Sequence, residues 1–205
     1  MAKMKLYYSP ASPYARKVRA VALEAGLTKK IEMVNVVLSP IAPNADVDKR
    51  NPIGKIPSLS IKGMELFDSP VICEYLDTQH RRRKLFPAKG AARWTALRLQ
   101  ALGDGLLDAA LLARYETFLR PEALRWSDWT AGQMKKISGV LDRLEAEVKS
   151  LKGKPTIGSI TVGCALGYLD FRFASFGWRQ GRPKLAKWFA SFAELPSMKE
   201  TAPTA

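Results

Sequence analysis

The chain has 205 residues, 47% of them hydrophobic and 25% charged, a composition that excludes a disordered or fibrous protein and allows one large domain or two small ones. At this length roughly 70% of the unfolded surface is buried on folding, so no metal or disulfide staple is needed to hold a core. The 33 Lys+Arg against 19 Asp+Glu give a formal +14, which bears on partners (nucleic acid, anionic membranes, acidic ligands) rather than on fold.

From Lys5 to Tyr8 the chain is short and aromatic, the texture of a strand, and Ser12-Pro13 places an N-cap before a proline at the first helical position. Val18, Val21, Ala22 and Ala25 then keep helical spacing, and Gly26 stands where a glycine ends a helix. Ile31 to Val37 alternates with β-branched residues and predicts a second strand, so the opening is a βαβ unit with parallel strands. The polar stretch Pro40 to Arg50 has room for a short helix. After Asn51-Pro52-Ile53-Gly54-Lys55-Ile56-Pro57, the pieces Ser58 to Ile61, Lys62-Gly63 and Met64 to Leu66 read as a hairpin with a glycine turn. Ser69-Pro70 repeats the serine-then-proline helix start, with Val71, Ile72, Tyr75 and Leu76 as its apolar face.

Beyond Thr78 the texture changes. Arg81-Arg82-Arg83-Lys84 opens a linker ending near Pro87, after which no convincing strand occurs. Leu97, Ala101, Leu102, Gly105, Leu106 and Ala109 keep one helical stripe, and Ile137, Leu141, Leu144 and Val148 keep another. Thr156 caps the apolar run Ile160 to Leu169, with Ser159 as a poor substitute for the acidic partner of a capping box. The tail Thr201 to Ala205 reads as disordered.

The residues available for chemistry are few. Cys73 and Cys164 form no C-x-x-C pair, which leaves zinc, dithiol and disulfide frameworks without support and fits a reduced cytosolic setting. His80 is the only histidine, so histidine triads and multi-histidine metal sites are excluded. No apolar leader opens the chain, and no run reaches the ~18 apolar residues of a membrane span. Three places bring polar groups to helix starts or fix a backbone. Ser12 either caps its helix or points its hydroxyl at an anion over that helix N-terminus, with Arg16, Lys17 and Arg19 adding potential or forming a solvated face. Lys55-Ile56-Pro57 either starts an edge strand or turns the Ile56 backbone outward as a template for an extended peptide. Asp68-Ser69 either caps or recognises an amino-acid head group, the carboxylate taking an ammonium and the serine a carboxylate.

The order of these signals, and the stretches Leu6 to Arg19, Asn51 to Leu59, Leu66 to Leu76 and Gly163 to Arg172, resemble the cytosolic glutathione transferase superfamily, in its bacterial, serine-type form. The resemblance implies a thioredoxin-like α/β domain (βαβ-α-ββα, a mixed four-stranded sheet) over residues 1–79, a linker over 80–88, and an all-α helical bundle domain over 89–205. It also implies glutathione as co-substrate, with no metal or further cofactor, and a cytoplasmic homodimer acting on small electrophiles in detoxification. Ser12 matches the thiolate's partner, with Tyr7, Tyr8 and Ser9 as alternatives. Lys55, Ile56, Pro57 (as a cis-proline), Asp68 and Ser69 match glutathione contacts. For the second substrate, Tyr14, Leu107, Leu111 and Tyr115 are the candidate pocket, with Phe118 and Trp126 or Trp129 nearby. Within the fold a glutathione-dependent isomerase, dehalogenase or peroxidase, or a non-catalytic binding protein, stays open. Nucleic-acid binding has no helix-turn-helix, zinc or RNP signature behind it. Residues 1 to 80 hold 11 basic and 8 acidic residues (net +3), and 81 to 205 hold 22 and 11 (net +11), which places most of the excess charge in the helical half.

Overall fold

The structure is a computed structural model and describes residues 4–204. The chain divides into two compact units: residues up to Gly90 joined by the segment from Leu195 onward, and Ala91–Glu194.

The first unit contains β1 (Met4–Tyr8), α1 (Pro13–Glu24), β2 (Ile31–Asn35), α2 (Ala45–Asp48), β3 (Ser58–Ile61), β4 (Met64–Leu66) and α3 (Ser69–Thr78). The four strands run in the order β2-β1-β3-β4. β1 and β2 are parallel, as the βαβ reading requires, and β3 is antiparallel to both β1 and β4. This is the thioredoxin-like mixed sheet. Leu6 and Leu59 face each other across β1 and β3 without exposed surface, and Val18, Val21, Ile72 and Leu76 from the packed pair α1 and α3 complete the core. β2 is shorter than the run to Val37 suggests. Val36 still donates to the Tyr8 carbonyl at 2.8 Å, and the chain then turns through the Ser39–Ala42 bridge.

α1 ends as its sequence dictates. Gly26 sits at φ +69°, its N–H bonds to the Leu23 carbonyl and the Leu27 N–H to the Ala22 carbonyl, the paired bonds of a Schellman motif. Arg16 and Lys17, expected on a solvated face, are buried instead, at 5% and 0% exposure. Arg16 Nη2 donates to the Met198 carbonyl at 3.0 Å, Arg19 Nη2 to the Glu200 carbonyl at 3.2 Å, and Ser197 Oγ to Glu24 at 2.6 Å. The face of α1 that carries them is thus covered by the C-terminal segment and its helix α8 (Pro196–Lys199), which a periodicity count cannot foresee. For the same reason the tail does not read as disordered at its start: Thr201 is buried and donates to the Ser197 carbonyl at 2.6 Å.

Asp77 organises the basic linker. Its carboxylate, 4% exposed, accepts from Leu85 N–H at 2.8 Å and Phe86 N–H at 3.1 Å and pairs with His80 Nε2, so the Arg81-Arg82-Arg83 loop folds over a buried anion. His80 is accordingly a structural residue.

The second unit is helical, with α4 (Gly90–Phe118, its first residue closing the first unit), α5 (Ser127–Ala146), α6 (Ile157–Arg172) and α7 (Pro183–Phe192). Leu99, Leu106, Ile137, Leu141, Leu144, Ile160, Leu166 and Leu185 form its core, each at most 1% exposed. Two glycines let α4 and α6 meet backbone to backbone. A Cβ on Gly158 would stand 2.5 Å from the Ala96 carbonyl oxygen, and one on Gly103 would stand 2.8 Å from Thr161 Cγ2. The α6 capping box is complete despite its serine: Thr156 N–H donates to Ser159 Oγ at 2.9 Å, and Ser159 N–H returns to Thr156 Oγ1 at 3.3 Å. A hydroxyl supplies the acceptor that a carboxylate would, correcting the expectation of a weak helix start.

Candidate functional site

Sheet topology gathers the candidate residues of the first unit. β1 and β4 run the same way and β3 runs oppositely, so the segment after β1, the entry to β3 and the exit from β4 all lie at one end of the sheet. Those three segments carry Ser12, Lys55-Ile56-Pro57 and Asp68-Ser69.

Ser12 is the N-cap of α1, in extended backbone, with Pro13 at the first helical position. Its Oγ accepts from Ala15 N–H at 3.2 Å, and its own N–H donates to the Ser9 carbonyl at 3.0 Å. Capping therefore uses an acceptor lone pair and leaves the O–H as a donor aimed by a half-buried residue at the helix start, where the dipole favours negative charge. The alternatives are placed differently. Tyr7 is buried, pairs with Val34 and Ser58 in the sheet, and lies with its ring 4.5 Å from the Arg50 guanidinium. Tyr8 closes β1 half-buried, with Arg19 5.3 Å from its ring. Ser9 contributes its carbonyl to the turn that holds Ser12.

The Ile56–Pro57 peptide bond is cis, Pro57 is buried, Ile56 is half-buried and Lys55 is exposed. The loop that delivers them is built on Asn51, which has no chemical role in the motifs above. At 1% exposure it donates through Nδ2 to the Lys55 carbonyl at 2.8 Å and accepts from Ile53 N–H at 3.0 Å. The readable signal was the Asn-Pro dipeptide, a frequent turn opener whose side chain bonds backbone two residues on.

Asp68 and Ser69 part company. Asp68 is the N-cap of α3 by backbone geometry, its carbonyl accepting from Ile72 N–H at 3.1 Å, but its carboxylate takes no bond from the helix and is exposed. The capping explanation for that side chain therefore lapses. Ser69, 1% exposed, opens the helix.

The candidates for a second substrate fall in both units. Tyr14 is half-buried on α1. On α4, Leu107, Leu111 and Tyr115 keep one stripe, but only Leu111 and Tyr115 reach the surface. Leu107 is fully buried and belongs to the core. Burial pushes the Tyr115 phenol above its usual range, partly opposed by Arg114. Phe118, Trp126 and Trp129 are exposed. Among the described residues, no three His, Cys, Asp or Glu side chains group as metal ligands, neither cysteine is in a disulfide, and no helix is long and apolar enough to cross a membrane.

Comparison with known proteins adds to this geometry. Residues 11–79 match the N-terminal domain model of glutathione S-transferases, and residues 127–191 match the C-terminal domain model. The chain is 34% identical over 204 residues to the uncharacterized GST-like protein YibF of Escherichia coli K12, covering 98% of each. It is 44% identical to a glutathione transferase family member of Pseudomonas fluorescens Pf-5 solved with bound glutathione, with a TM-score of 0.97 over 99% of this chain and 100% of that one. A second structure of that Pf-5 protein, with a TM-score of 0.92 over 98% of this chain and 100% of that one, holds S-(propanoic acid)-glutathione.

Proposed function

Because the chain belongs to the glutathione S-transferase family, we propose that it binds glutathione at the sheet end described above and delivers its thiolate to small electrophiles. The observation that carries this reading is Ser12, a capping hydroxyl whose proton is left to donate at the N-terminus of α1.

In this scheme the γ-glutamyl head group lies at the start of α3. Its ammonium meets the exposed Asp68 carboxylate, and its carboxylate meets Ser69 and the helix N-terminus. The Ile56 backbone, turned outward ahead of Pro57, pairs with the cysteinyl residue as an added strand, and Lys55 meets a terminal carboxylate. The cysteinyl sulfur then lies over Ser12. A thiol titrates near ~8.5 when free, and only the thiolate is nucleophilic. A hydrogen bond donated by Ser12 and the positive helix end both favour the charged form, and a fall of two units corresponds to about 2.7 kcal/mol. The thiol proton leaves to solvent, the sulfur attacks the electrophilic carbon, and the leaving group departs with the bonding pair. Glutathione bound in one structure of the Pf-5 relative and S-(propanoic acid)-glutathione bound in another structure of it support the substrate assignment.

We further assign a homodimer working in the cytoplasm in detoxification, an assembly in keeping with the exposed Val37, Ile41, Ile53 and Val71 side chains. Light scattering reports the mass directly.

The deciding experiment titrates the thiolate absorbance of bound glutathione and measures conjugation to a chromogenic aryl halide, for wild type and Ser12→Ala, Tyr7→Phe and Tyr8→Phe. Wild type is expected to hold the thiol below ~8.5 and to lose this in Ser12→Ala alone. Full turnover by Ser12→Ala would transfer the role to a tyrosine. Glutathione binding without thiolate formation would mark a non-catalytic member.

A further inference from the structure

α1 and α3 pack against each other, and both begin at the sheet end that carries Ser12 and Asp68-Ser69. Their other ends meet as well. Gly26 and Leu27 after α1, Lys30 in the single turn before β2, Gln79 at the close of α3, and Arg81 and Arg82 of the linker line one open cleft of about 560 Å³, entirely within the first unit. Helices of 12 and 10 residues, at about 1.5 Å per residue, set this cleft roughly 15–18 Å from the proposed glutathione contacts.

No wall residue of the cleft is acidic, and among the described residues Lys30, Arg81 and Arg82 form no ion pair. The carboxylates near in sequence are engaged elsewhere: Glu24 accepts from Ser197 Oγ at 2.6 Å, and Asp77 holds the Leu85 and Phe86 amides and His80. The helix ends are the remaining source of negative potential, at about −0.5 charge each. Lys84 already meets that of α3, donating to the Asp77 and His80 carbonyls. Three unit charges against two half charges leave about +2 on the walls.

Arg82 is fixed at both its ends. Its backbone N–H donates to His80 Nδ1 at 3.1 Å, and its guanidinium lies so close to Gly26 that a Cβ there would stand 2.6 Å from Cζ. Its Nη1 reaches the Glu24 carbonyl at 3.4 Å, which leaves the Nε and Nη2 donors for another acceptor.

We propose that this cleft binds a small organic phosphate, a monoester dianion, at a site separate from the glutathione end and independent of the transferase reading. Two guanidiniums and an ammonium supply forked and point-charge donors suited to the three terminal oxygens of a phosphate, and a monoester carries close to two negative charges at neutral pH. The volume falls within the about 300–1,000 Å³ of small-ligand sites and leaves room for an organic body beside Leu27. A nucleic-acid duplex calls for a basic stripe along a face or a helix, whereas these three cations converge on a concavity.

Calorimetry on the full-length protein, at about pH 7.5 and about 0.15 M salt, compares phenyl phosphate, phenyl sulfate and inorganic phosphate, with and without saturating glutathione. Phenyl phosphate is expected to bind about tenfold more tightly than phenyl sulfate, which has the same body and about half the charge, and more tightly than inorganic phosphate, which has no body. Glutathione should leave its affinity unchanged. Lys30→Gln, Arg81→Gln and Arg82→Gln should each weaken it about fivefold. No binding of phenyl phosphate by wild type, equal affinity for the two esters, displacement by glutathione, or an affinity unmoved in all three variants overturns the site. So does inorganic phosphate binding as tightly as the ester, which would mark an adventitious ion only, and so does a duplex oligonucleotide that binds through these residues while phenyl phosphate does not. All three side chains are exposed. Should one variant fail to fold, the wild-type ester series and the other two variants decide by the same criteria.

Discussion

The two units hold their shape by different means. In the first, polar side chains at helix starts and loops carry the arrangement: Ser12 caps α1, Asn51 ties the loop before Pro57, and Asp77 anchors the basic linker. In the second, α4 and α6 are set by close packing of backbone against backbone at Gly103 and Gly158, and the four-residue stripes of α4 and α5 fill the space around them. The proposed glutathione contacts therefore sit where short-range sequence signals act, and the packing of α4 on α6 is governed by volume. Substitutions should divide the same way, with polar changes in the first unit moving ligand affinity and volume changes in the second moving stability.

The largest effect is expected at Gly158. Gly158→Val would drive a branched side chain into the Ala96 carbonyl and Leu99 Cβ, 2.5 and 2.7 Å from an ideal Cβ. Unfolding in urea should show a loss of about 3 kcal/mol, and an unchanged midpoint would mean that the helices do not pack this closely. Ser12→Ala comes next. kcat/KM should fall about a hundredfold, about 2.7 kcal/mol, with the bound thiol's pKa rising toward ~8.5. A depressed thiol pKa keeps the thiolate present above it, so the variant should lose activity at neutral pH and regain part of it as pH rises. Asp77→Asn sharpens the contrast within the first unit, since one carboxylate serves two backbone amides and His80. A loss of about 2 kcal/mol is expected, and a neutral outcome would show that the linker is held some other way.

Asp68→Asn should do the reverse, weakening glutathione binding about tenfold, about 1.4 kcal/mol, with the melting temperature unmoved, because that carboxylate bonds no helix amide. A fall in melting temperature without a change in affinity would return it to a capping role. The smallest effect is in the helical unit's response to acid. The Trp126 amide, and then Arg120, hold the Glu116 carboxyl below its usual value, and the Arg98 and Arg143 guanidiniums do the same for Glu147. A carboxyl depressed in the folded state adds stability that is present above its unfolded value near 4.5 and is lost as pH falls. Glu147→Gln should therefore flatten the decline in stability below about pH 5 relative to wild type, and a decline of unchanged steepness would remove Glu147 from its causes.

Much of this architecture was legible in the residues alone because it depends on neighbours in sequence. Ser12-Pro13, Gly26 and the hairpin at Lys62-Gly63 state where elements begin and end through local dihedral and capping preferences. The apolar spacing of Ile137, Leu141 and Leu144 states which face of α5 is buried. The burial of Arg16 has no local signal because what covers it, the segment from Leu195 onward, is about 180 residues away in sequence. Leu107 was placed in a pocket because a stripe shows a face and not its depth. The Asn51-Pro52 dipeptide marks a turn, but that its side chain is buried and ties the loop before Pro57 has no signature in the spacing of residues.

What the sequence determined by itself was the elements of the first 80 residues and three of the helices beyond them, the two-part organisation of a mixed α/β region followed by helices, and the polar residues at helix starts that suggest an anion and an amino-acid head group. Only the tertiary structure decided which side chains remain available there: that the Ser12 hydroxyl keeps its proton to donate while its oxygen caps, and that the Asp68 carboxylate takes no bond from the helix it opens. The physical reason is range. Capping, turn and periodicity signals are settled within a turn or two of chain, whereas burial and charge pairing depend on residues brought together from distant positions.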